Sequence, residues 1–271
     1  GLGGRLDATT AHPNRPLIAI GSIGMDHCEH LGHSLSAISN EKAAVISPGA
    51  HVISAPQPEA VTKVLEARSQ EVGATLEWVK PLGEEWELGL SGHLQRRNGA
   101  VACAALQRMN ALGSSITEEQ IRRGLAQARW PGRLQTLHWN HHSVRVDGAH
   151  NPDAAQQLAL ERRNWSQLGQ QQIWILGIQG HKQAPEMLRL LLHTNDEAWM
   201  VPVPGHVSWT ADQLSEICPT HARQLRSASC VEDVLINLFK NDANRPIPTP
   251  VIAGSLDLIG SLLREGILKE S

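Results

Sequence analysis

The sequence has no hydrophobic run long enough to cross a membrane, because apolar stretches such as 17–20 fall far short of the roughly 20 residues that a spanning helix needs. It also does not open with a basic segment followed by an apolar one, as a secretory signal does. Its charges nearly balance, with 24 Lys and Arg residues against 27 Asp and Glu residues, so bulk electrostatics give no reason to bind a polyanion. We therefore expect a soluble, cytoplasmic protein without nucleic-acid or membrane partners.

Cysteine is scarce, with four residues in 271 positions and no C-x-x-C pair. That spacing argues against a zinc knuckle or a disulfide framework and favours free thiols in a reducing compartment. Histidine is more frequent, with 14 residues, and three of them cluster between 138 and 142. Their polar surroundings favour a solvated turn over a metal site.

The first 129 residues alternate between strand and helix patterns. Short apolar runs predict strands at 16–21, 51–54, 76–79 and 86–90, and helical periodicity predicts helices at 34–47, 58–72, 98–112 and 117–128. Ser34 is a candidate N-cap, and Thr117 opens a capping box. The Trp-Pro-Gly sequence at 130–132 cannot extend a helix, so we place a boundary there between domains 1–129 and 130–271.

The remaining residues repeat the same alternation. Strands are predicted at 143–146, 172–177, 198–203 and 250–254, and helices at 152–165, 183–193, 210–217, 231–239 and 255–265. Strands that alternate with helices of about ten or more residues are typical of a parallel sheet with helical cover. The pattern thus predicts an α/β protein of two units.

The sharpest local motif is Asp-Gly-Ala-His-Asn-Pro at 147–152. A predicted buried strand ends in Asp147, a turn of small residues follows, and Asn-Pro opens a helix. Ligands of open α/β sheets bind outside the carboxyl ends of the strands. Asp147 is therefore a candidate for contacting a ribose hydroxyl, and His150, just before a helix N-terminus, is a candidate for contacting an anion.

Weaker motifs each have a structural alternative. The glycines of 1–7 permit either close approach to a ligand or a tight turn. Asp26 and His27 follow a predicted strand, where they suit a cation and phosphates, although a lone loop histidine is more often structural or solvated. Asn98 is either a helix cap or a contact to a nucleotide. Arg133 either clamps a phosphate or lies on the surface.

Six segments, taken together and in order, resemble the folylpolyglutamate synthase and dihydrofolate synthase family of the Mur ligase superfamily. They are GLGGRLDATT (1–10), IGSIGMDHCEHLG (20–32), ISNEKAAVI (38–46), LSGHLQRRNGAVACAAL (90–106), WPGRLQ (130–135) and DGAHNPDAA (147–155). The resemblance implies that 1–129 is the C-terminal part of a Mur-ligase-type ATP-binding domain. It implies that 130–271 is a Rossmann-like glutamate ligase domain.

The resemblance also implies roles for individual residues. They are Lys42 and His150 in catalysis; Asn98, Arg133 and Asp147 in ATP binding; Arg5, Asp7 and Ser255 in substrate binding; and His27 with Lys42 at the metal. Lys42 matches a lysine that the family carbamylates, which means that its amine reacts with carbon dioxide to become an anionic ligand. Arg5 and Asp7 lie in the loop that lines the pterin site, and Ser255 belongs to the glutamate pocket. His150 looks like a phosphate or glutamate-pocket residue.

The implied reaction is ATP-dependent amide formation by a monomeric ligase that uses Mg²⁺. A carboxylate of dihydropteroate or of a reduced folate attacks the γ-phosphate of ATP and gives an acyl phosphate. The amine of L-glutamate then displaces the phosphate. A hinge near residue 130 would let Arg133 and Asp147 close over nucleotide bound to the first domain.

The sequence departs from the family at two places. It contains no G-x-x-x-x-G-K-[ST] phosphate loop, and the family's loop precedes the position of Gly1. We therefore expect the chain to correspond to the C-terminal two-thirds of such an enzyme and to be inactive by itself. Where the family often has Asp-Lys-Asp, this chain has His-Lys-Gln at 181–183. The alternative to a ligase is an inactive remnant that still binds nucleotide or folate. A cell-wall Mur ligase is disfavoured by GGRLDAT and WPGRLQ.

Overall fold

The computed structural model describes residues 8–25, 28–32, 34–165, 170–240 and 247–270. Three residues given roles above, Arg5, Asp7 and His27, lie outside these ranges, and so does Asp26. The chain divides into two compact units, Gly1–Arg129 and Trp130–Ser271, which we call the N-terminal and the C-terminal unit.

The N-terminal unit contains a parallel three-stranded sheet in the order β1-β2-β3. Its strands are β1 (Leu17–Ile20), β2 (His51–Ser54) and β3 (Thr75–Trp78). Its helices are α1 (Cys28–Leu31), α2 (Leu35–Ala43), α3 (Glu59–Glu71), α4 (His93–Ala111) and α5 (Glu118–Gln127).

Helices cover both faces of this sheet. On one face, Ile38 of α2 and Leu65 of α3 pack with Val52 of β2 in a buried cluster. On the other face, Ile53 of β2 packs with Val101 of α4. Neighbouring residues of a strand point to opposite faces, so β2 must be apolar at successive positions, as is usual for parallel strands between helical layers.

The strand predicted at 86–90 is wrong. The guanidinium of Arg96 donates to the carbonyl of Trp86 at 3.3 Å, and the amide of Gly89 donates to the carbonyl of Leu125 at 2.9 Å. Backbone groups of residues 86–90 thus bond to helices α4 and α5 instead of to a neighbouring strand. The segment forms irregular turns.

The helix predicted at 98–112 also has the wrong start. Helix α4 begins at His93, because Gly92 adopts φ 106° and turns the chain into the helix. Asn98 therefore lies within α4 and is not its N-cap. The caps predicted at Ser34 and Thr117 are confirmed, and Thr117 forms the complete capping box.

The C-terminal unit contains a six-stranded sheet in the order β4-β5-β9-β6-β7-β8, in which only β4 is antiparallel to its neighbour. The strands are β4 (Gln135–Trp139), β5 (His142–Asp147), β6 (Ile173–Leu176), β7 (Glu197–Met200), β8 (Leu225–Ser227) and β9 (Val251–Ala253). The helices are α6 (Pro152–Glu161), α7 (Ala184–Leu191), α8 (Ala211–Ile217), α9 (Val231–Phe239) and α10 (Leu256–Arg264).

This second sheet is also buried on both faces. Trp174 of β6 belongs to a cluster with Leu188 of α7. Ile175, the next residue, belongs to a different cluster with Leu235 of α9. The predicted α/β class is thus confirmed in both units.

Strands β4 and β8 are absent from the sequence prediction. Only Leu137 of β4 is fully buried, so its apolar periodicity is weak, and its position depends on antiparallel pairing with β5 across a turn at Asn140. The histidine cluster thus lies in and beside a hairpin instead of in a solvated turn. His142 stacks on Phe239, with ring centroids 3.8 Å apart.

A buried ion pair lies at the amino end of β6 and β7. Asp196 accepts hydrogen bonds from the guanidinium of Arg162 and from the backbone amides of Gln172 and His193. Burial by itself would raise the pKa of Asp196, but Arg162 and the two amides outweigh it and hold the pKa below its usual value. The carboxylate is therefore ionised and fully partnered in the folded protein.

Within the described ranges, no helix is both long and apolar enough to cross a bilayer. Cys103, Cys218 and Cys230 are free thiols, in agreement with the cysteine spacing. Burial raises the pKa of the Cys103 thiol, so this residue behaves as a core side chain and not as a nucleophile.

Candidate functional site

The carboxyl ends of three neighbouring parallel strands bring the motif loops of the C-terminal unit together. Asp147, the last residue of β5, and Leu176, the last residue of β6, both pair with Ala253 at the end of β9. The loops that follow these strands, beginning at 148, 177 and 254, therefore lie side by side. This edge is where ligands of open α/β sheets bind.

Asp147 joins two of the loops at this edge. Its Oδ2 accepts the amide hydrogen of Leu134 at 2.9 Å, and its Oδ1 accepts that of Ala149, also at 2.9 Å. Burial raises the pKa of Asp147 above its usual value, against the opposing effects of the two amides and of the Arg133 charge. The carboxylate thus holds the Arg133 loop against the turn at 147–149.

A second bond and close packing fix the same two loops. The amide of Gly148 donates to the carbonyl of Gly132 at 2.7 Å. A Cβ atom on Gly148 would lie 2.2 Å from Cδ2 of Leu256 at the start of α10, so a side chain here requires Leu256 to shift. Gly132, with φ 74°, has the left-handed backbone that favours glycine.

His150 points one ring nitrogen at its own turn. Its Nδ1 lies 2.8 Å from the carbonyl oxygen of Gly148. A carbonyl can only accept, so Nδ1 carries the hydrogen and Nε2 is the acceptor of the neutral ring. Asn151 caps α6 by accepting from Ala154 at 2.8 Å, and Pro152 occupies the first turn. The imidazole therefore stands at the N-terminus of a ten-residue helix, where an anion is favoured.

Ser255 is the N-cap of α10. Its Oγ accepts from the amides of Asp257 at 3.1 Å and Leu258 at 3.4 Å, and the residue is 2% exposed. Gly254, with φ 105°, precedes it, and a Cβ there would lie 2.5 Å from the carbonyl oxygen of Gly177. The structure thus uses Ser255 to start a helix at the candidate site.

A pocket of about 430 Å³ adjoins this edge, and sequence reasoning missed it. Its lining includes His181, His206 and Trp209. Gln179, also in the lining, donates to Asp257 Oδ2 at 2.6 Å, and His206 Nε2 lies 3.4 Å from the same oxygen. The sequence signal for this pocket was the Gly-Ile-Gln-Gly-His-Lys-Gln segment at 177–183. It follows a buried strand but lacks the G-x-x-x-x-G-K-[ST] spacing of a phosphate loop.

The N-terminal unit has a corresponding carboxyl edge, held by Gln57. Its Nε2 donates to the carbonyl of Gly21 at 2.8 Å and to Ser54 Oγ at 3.0 Å, while its Oε1 accepts from the amide of Ile23 at 3.1 Å. One side chain thus ties the loop after β1 to the loop after β2. Sequence reasoning missed Gln57, because a glutamine after a strand has no signature of its own.

Asn98 lies near the same edge. Arg97, its neighbour on α4, donates to the carbonyl of Pro56 just beyond β2. Asn98 is exposed, and its Nδ2 donates to Gln95 Oε1 at 3.1 Å. The amide group is therefore accessible in the first turns of α4.

Lys42 lies elsewhere in the N-terminal unit. It is half-buried in the last turn of α2, and Ser47, which follows, donates to the carbonyl of Arg15 before β1. A cleft of about 850 Å³ between α2 and α3 does not include Lys42 in its lining. Among the residues described, no three His, Cys, Asp or Glu side chains are grouped as metal ligands.

The structure therefore brings four of the nine singled-out residues to one edge of the C-terminal unit: Arg133, Asp147, His150 and Ser255. Asn98 and Lys42 belong to the N-terminal unit. Arg5, Asp7 and His27 lie outside the described residues.

The chain is similar to known proteins in sequence and in fold. Residues 133–265 match the family described as "Dihydrofolate synthetase, C-terminal domain". The chain is 34% identical over 181 residues to folylpolyglutamate synthase of Arabidopsis thaliana, covering 59% of this chain and 32% of the relative. It is 31% identical over 236 residues to dihydrofolate synthase/folylpolyglutamate synthase of Escherichia coli, covering 80% and 53%.

Among solved structures, the folylpolyglutamate synthase of Mycobacterium tuberculosis complexed with ADP and AMPPCP superposes with a TM-score of 0.82 at 24% identity. The match covers 98% of this chain and 67% of that one, which shows a shared fold. The chain spans about a third to a half of the length of the two curated relatives. Residues 133–265 thus match the C-terminal domain of dihydrofolate synthetase, and the chain is similar in sequence to folylpolyglutamate and dihydrofolate synthases.

Proposed function

We propose that this protein acts in the ATP-dependent joining of L-glutamate to dihydropteroate or to a reduced folate. The names of its relatives support the reaction class, and the nucleotides bound by the M. tuberculosis enzyme support ATP as the co-substrate. The observation that carries the proposal is the convergence of Arg133, Asp147, His150 and Ser255 on one sheet edge.

The proposed chemistry has two steps. A substrate carboxylate oxygen attacks the γ-phosphorus of ATP, the bond to the β,γ-bridging oxygen breaks, and an acyl phosphate and ADP result. The amine of L-glutamate then attacks the acyl carbon, phosphate leaves, and a proton is lost from nitrogen as the amide forms. Both steps develop negative charge on phosphate oxygens, which cations and amide donors stabilise.

Some of the candidate site residues are assigned to binding the nucleotide and others to binding L-glutamate. Asn98, Arg133 and Asp147 are assigned to the nucleotide, because an arginine fork suits phosphate oxygens and Asn98 is an accessible amide. His150 and Ser255 are assigned to L-glutamate or to the transferred phosphate, because they stand at the N-termini of α6 and α10.

The Mg²⁺ site is proposed at Lys42 and His27, on the chemistry of a carbamylated lysine. Mg²⁺ takes oxygen ligands, keeps several waters and needs one or two protein groups beside the phosphates. The amine of Lys42 supplies no oxygen, whereas its carbamate would. Lys42 and His27 are thus the residues proposed to hold the ion, which would neutralise phosphate charge. Arg5 and Asp7 are proposed for the pterin ring.

The test is phosphate release from ATP by a version of the protein extended upstream of Gly1 with a strand, a phosphate loop and a helix. We expect release only when ATP, L-glutamate and dihydropteroate or a reduced folate are all present, with no release when any one is omitted. The matched variants are His150→Ala, which removes the imidazole at α6, and His221→Ala, a histidine remote from the motif loops. Loss in both variants, or release without glutamate, contradicts the proposal.

A second function is nucleotide or folate binding without turnover. Calorimetric titration with ATP and with the folate separates the two. Binding of either ligand without phosphate release from the complete mixture supports the second function.

A further inference from the structure

We propose that Asp257 is a positioning residue for the amino-acid substrate. Its carboxylate holds the loops after β6 and β7 against the first turn of α10, and so sets the shape of the pocket beside Ser255. The inference rests on the proposed function, which assigns Ser255 to L-glutamate. It gives a role to a side chain that no sequence motif singled out.

The carboxylate of Asp257 meets two loops at one oxygen. Gln179, in the loop after β6, donates from Nε2 to Oδ2 of Asp257 at 2.6 Å. His206, in the loop after β7, has its Nε2 3.4 Å from the same oxygen. Because β6 lies between β9 and β7 in the sheet, these contacts connect the ends of three neighbouring strands.

The two loops are bonded to each other and form one wall of the pocket. The amide of Gly180 donates to the carbonyl of Val207 at 2.8 Å, and the amide of Trp209 donates to the carbonyl of Ile178 at 2.9 Å. The indole Nε1 of Trp209 also donates to the carbonyl of Lys182 at 2.9 Å. A displacement of one loop therefore carries the other with it, so a contact to either loop holds both.

The base of this wall is fixed to α10 by close packing. A Cβ atom on Gly254, just before α10, would lie 2.5 Å from the carbonyl oxygen of Gly177, where the loop after β6 begins. Asp257 reaches the same loop further out, at Gln179. Because the side chain of Asp257 is 57% exposed, it can be exchanged without disturbing the packing at the base.

The pocket at this wall suits an amino acid. Its volume is about 430 Å³, within the range of about 300–1,000 Å³ that is typical of small-molecule sites. The lining includes side chains that can hydrogen-bond to carboxylate and ammonium groups: Gln179, His181, His206, Ser208 and Gln213. Asp257 contacts two of these, Gln179 and His206, and so orients part of the lining.

Ser255 and Asp257 belong to the same turn. Oγ of Ser255 accepts the amide of Asp257 at 3.1 Å, so the residue assigned to L-glutamate also fixes the backbone that carries the carboxylate. Without the carboxylate, Gln179 and His206 lose a common partner, and the wall spends less of its time in the binding shape. The apparent affinity for L-glutamate then falls with the fraction of competent molecules.

The first experiment measures steady-state kinetics on the upstream-extended protein. We expect Asp257→Ala to raise KM for L-glutamate about fivefold, as for the loss of a hydrogen bond, and to leave kcat and KM for ATP within about twofold. Asp257→Asn keeps an acceptor oxygen for Gln179 and should recover most of the loss. Glu232→Ala, which removes an exposed acid in the first turn of α9, is the matched control and leaves the constants unchanged.

Three results of these kinetics would overturn the proposal. One is an unchanged KM for L-glutamate in Asp257→Ala. Another is an equal rise in Asp257→Ala and Asp257→Asn, because the charge would then act directly on the substrate. The third comes from a double-mutant cycle with Gln179→Ala. If Asp257 acts through Gln179, the double variant loses less than the product of the two single losses, and losses that multiply contradict this route.

The second experiment needs no substrate, and so separates this inference from the proposed function. Nitrogen NMR of the full chain with isotope-labelled histidine follows the ring of His206, whose signal is identified by its loss in His206→Gln. Asp257→Ala should shift this signal and leave that of His221, which contacts Gln224, in place. An unchanged His206 signal shows that the two side chains do not meet and overturns the proposal. If the extended protein releases no phosphate from the complete mixture, the proposed function fails, whereas this measurement still decides whether Asp257 holds the loop after β7.

Discussion

The two units place their loops at the same edge of a parallel sheet but hold them by different chemistry. In the N-terminal unit a neutral amide, Gln57, makes three hydrogen bonds between the loops after β1 and β2. In the C-terminal unit an ionisable carboxylate, Asp147, joins two loops where a Cβ atom on Gly148 would lie 2.2 Å from Cδ2 of Leu256. We therefore expect the bracing group of the first edge to be insensitive to pH, and that of the second to be sensitive to pH and closely packed.

The largest effect is expected where the C-terminal unit buries a charge. Asp196→Ala leaves Arg162 unpaired, and the loss of one partner of a buried pair costs about 3–5 kcal/mol. Chemical denaturation followed by Trp fluorescence checks this, with Arg226→Ala as the control, because the Arg226–Glu197 pair is exposed. If Asp196→Ala lost less unfolding free energy than Arg226→Ala, the buried charge would not distinguish the C-terminal unit from the N-terminal one.

Packing at the C-terminal edge is tested by adding one methyl group there and, as a control, one within α10. Gly148→Ala places a Cβ against Leu256 and should destabilise the C-terminal unit by about 1–3 kcal/mol. Gly260→Ala, within α10, has open space and an ordinary helical backbone, so it should stabilise the same unit by about 0.5–1 kcal/mol. Equal thermal shifts in the two variants would show that the edge is not tightly packed.

The amide brace of the N-terminal unit is tested by Gln57→Ala. Three hydrogen bonds are lost, and each typically contributes about 1 kcal/mol to the free energy of unfolding. The amide of buried Ile23 also loses its acceptor. Hydrogen exchange of Ile23 should rise, with little change in the C-terminal unit. The control is Gln70→Ala, an exposed position of α3. Protection of Ile23 equal to that in the control would contradict the brace.

The smallest effect expected is the pH dependence of the two carboxylates. Burial raises the folded pKa of Asp147, so its protonated form favours folding below the unfolded value of about 3.9, and this contribution is lost as pH rises through the folded pKa. Asp196 has a lowered pKa and does the opposite: its contribution is present above the unfolded pKa and is lost as pH falls through the folded one.

The free energy of unfolding is therefore measured against pH in Asp147→Asn and in Asp196→Asn. Its difference from the unmodified protein should change with pH in opposite directions in the two variants. Asp147→Asn removes a term that decreases with rising pH, and Asp196→Asn removes one that increases. If the two differences changed with pH in the same direction, the pKa shift of one of the two carboxylates would be opposite to the one given above.

The N-terminal unit shows how far local patterns reach. Ser34 and Thr117 were predicted as caps because a capping side chain bonds to amides two or three residues away. The strand at 86–90 and the start of α4 were predicted wrongly, because Arg96 and Gly92 act through tertiary bonds and backbone geometry that an apolar pattern does not report.

By itself, the sequence determined the α/β class, most helix starts, the similarity to a known family and the position of the Asp-Gly-Ala-His-Asn-Pro turn at the end of a strand, since these depend on neighbours within a few residues. Only the tertiary structure decided that β9 stands between β5 and β6, and that Asp147, Leu134 and Gln57 act as partners across loops. Such contacts join residues 13 to 106 positions apart, and nothing in a local pattern selects one distant partner over another.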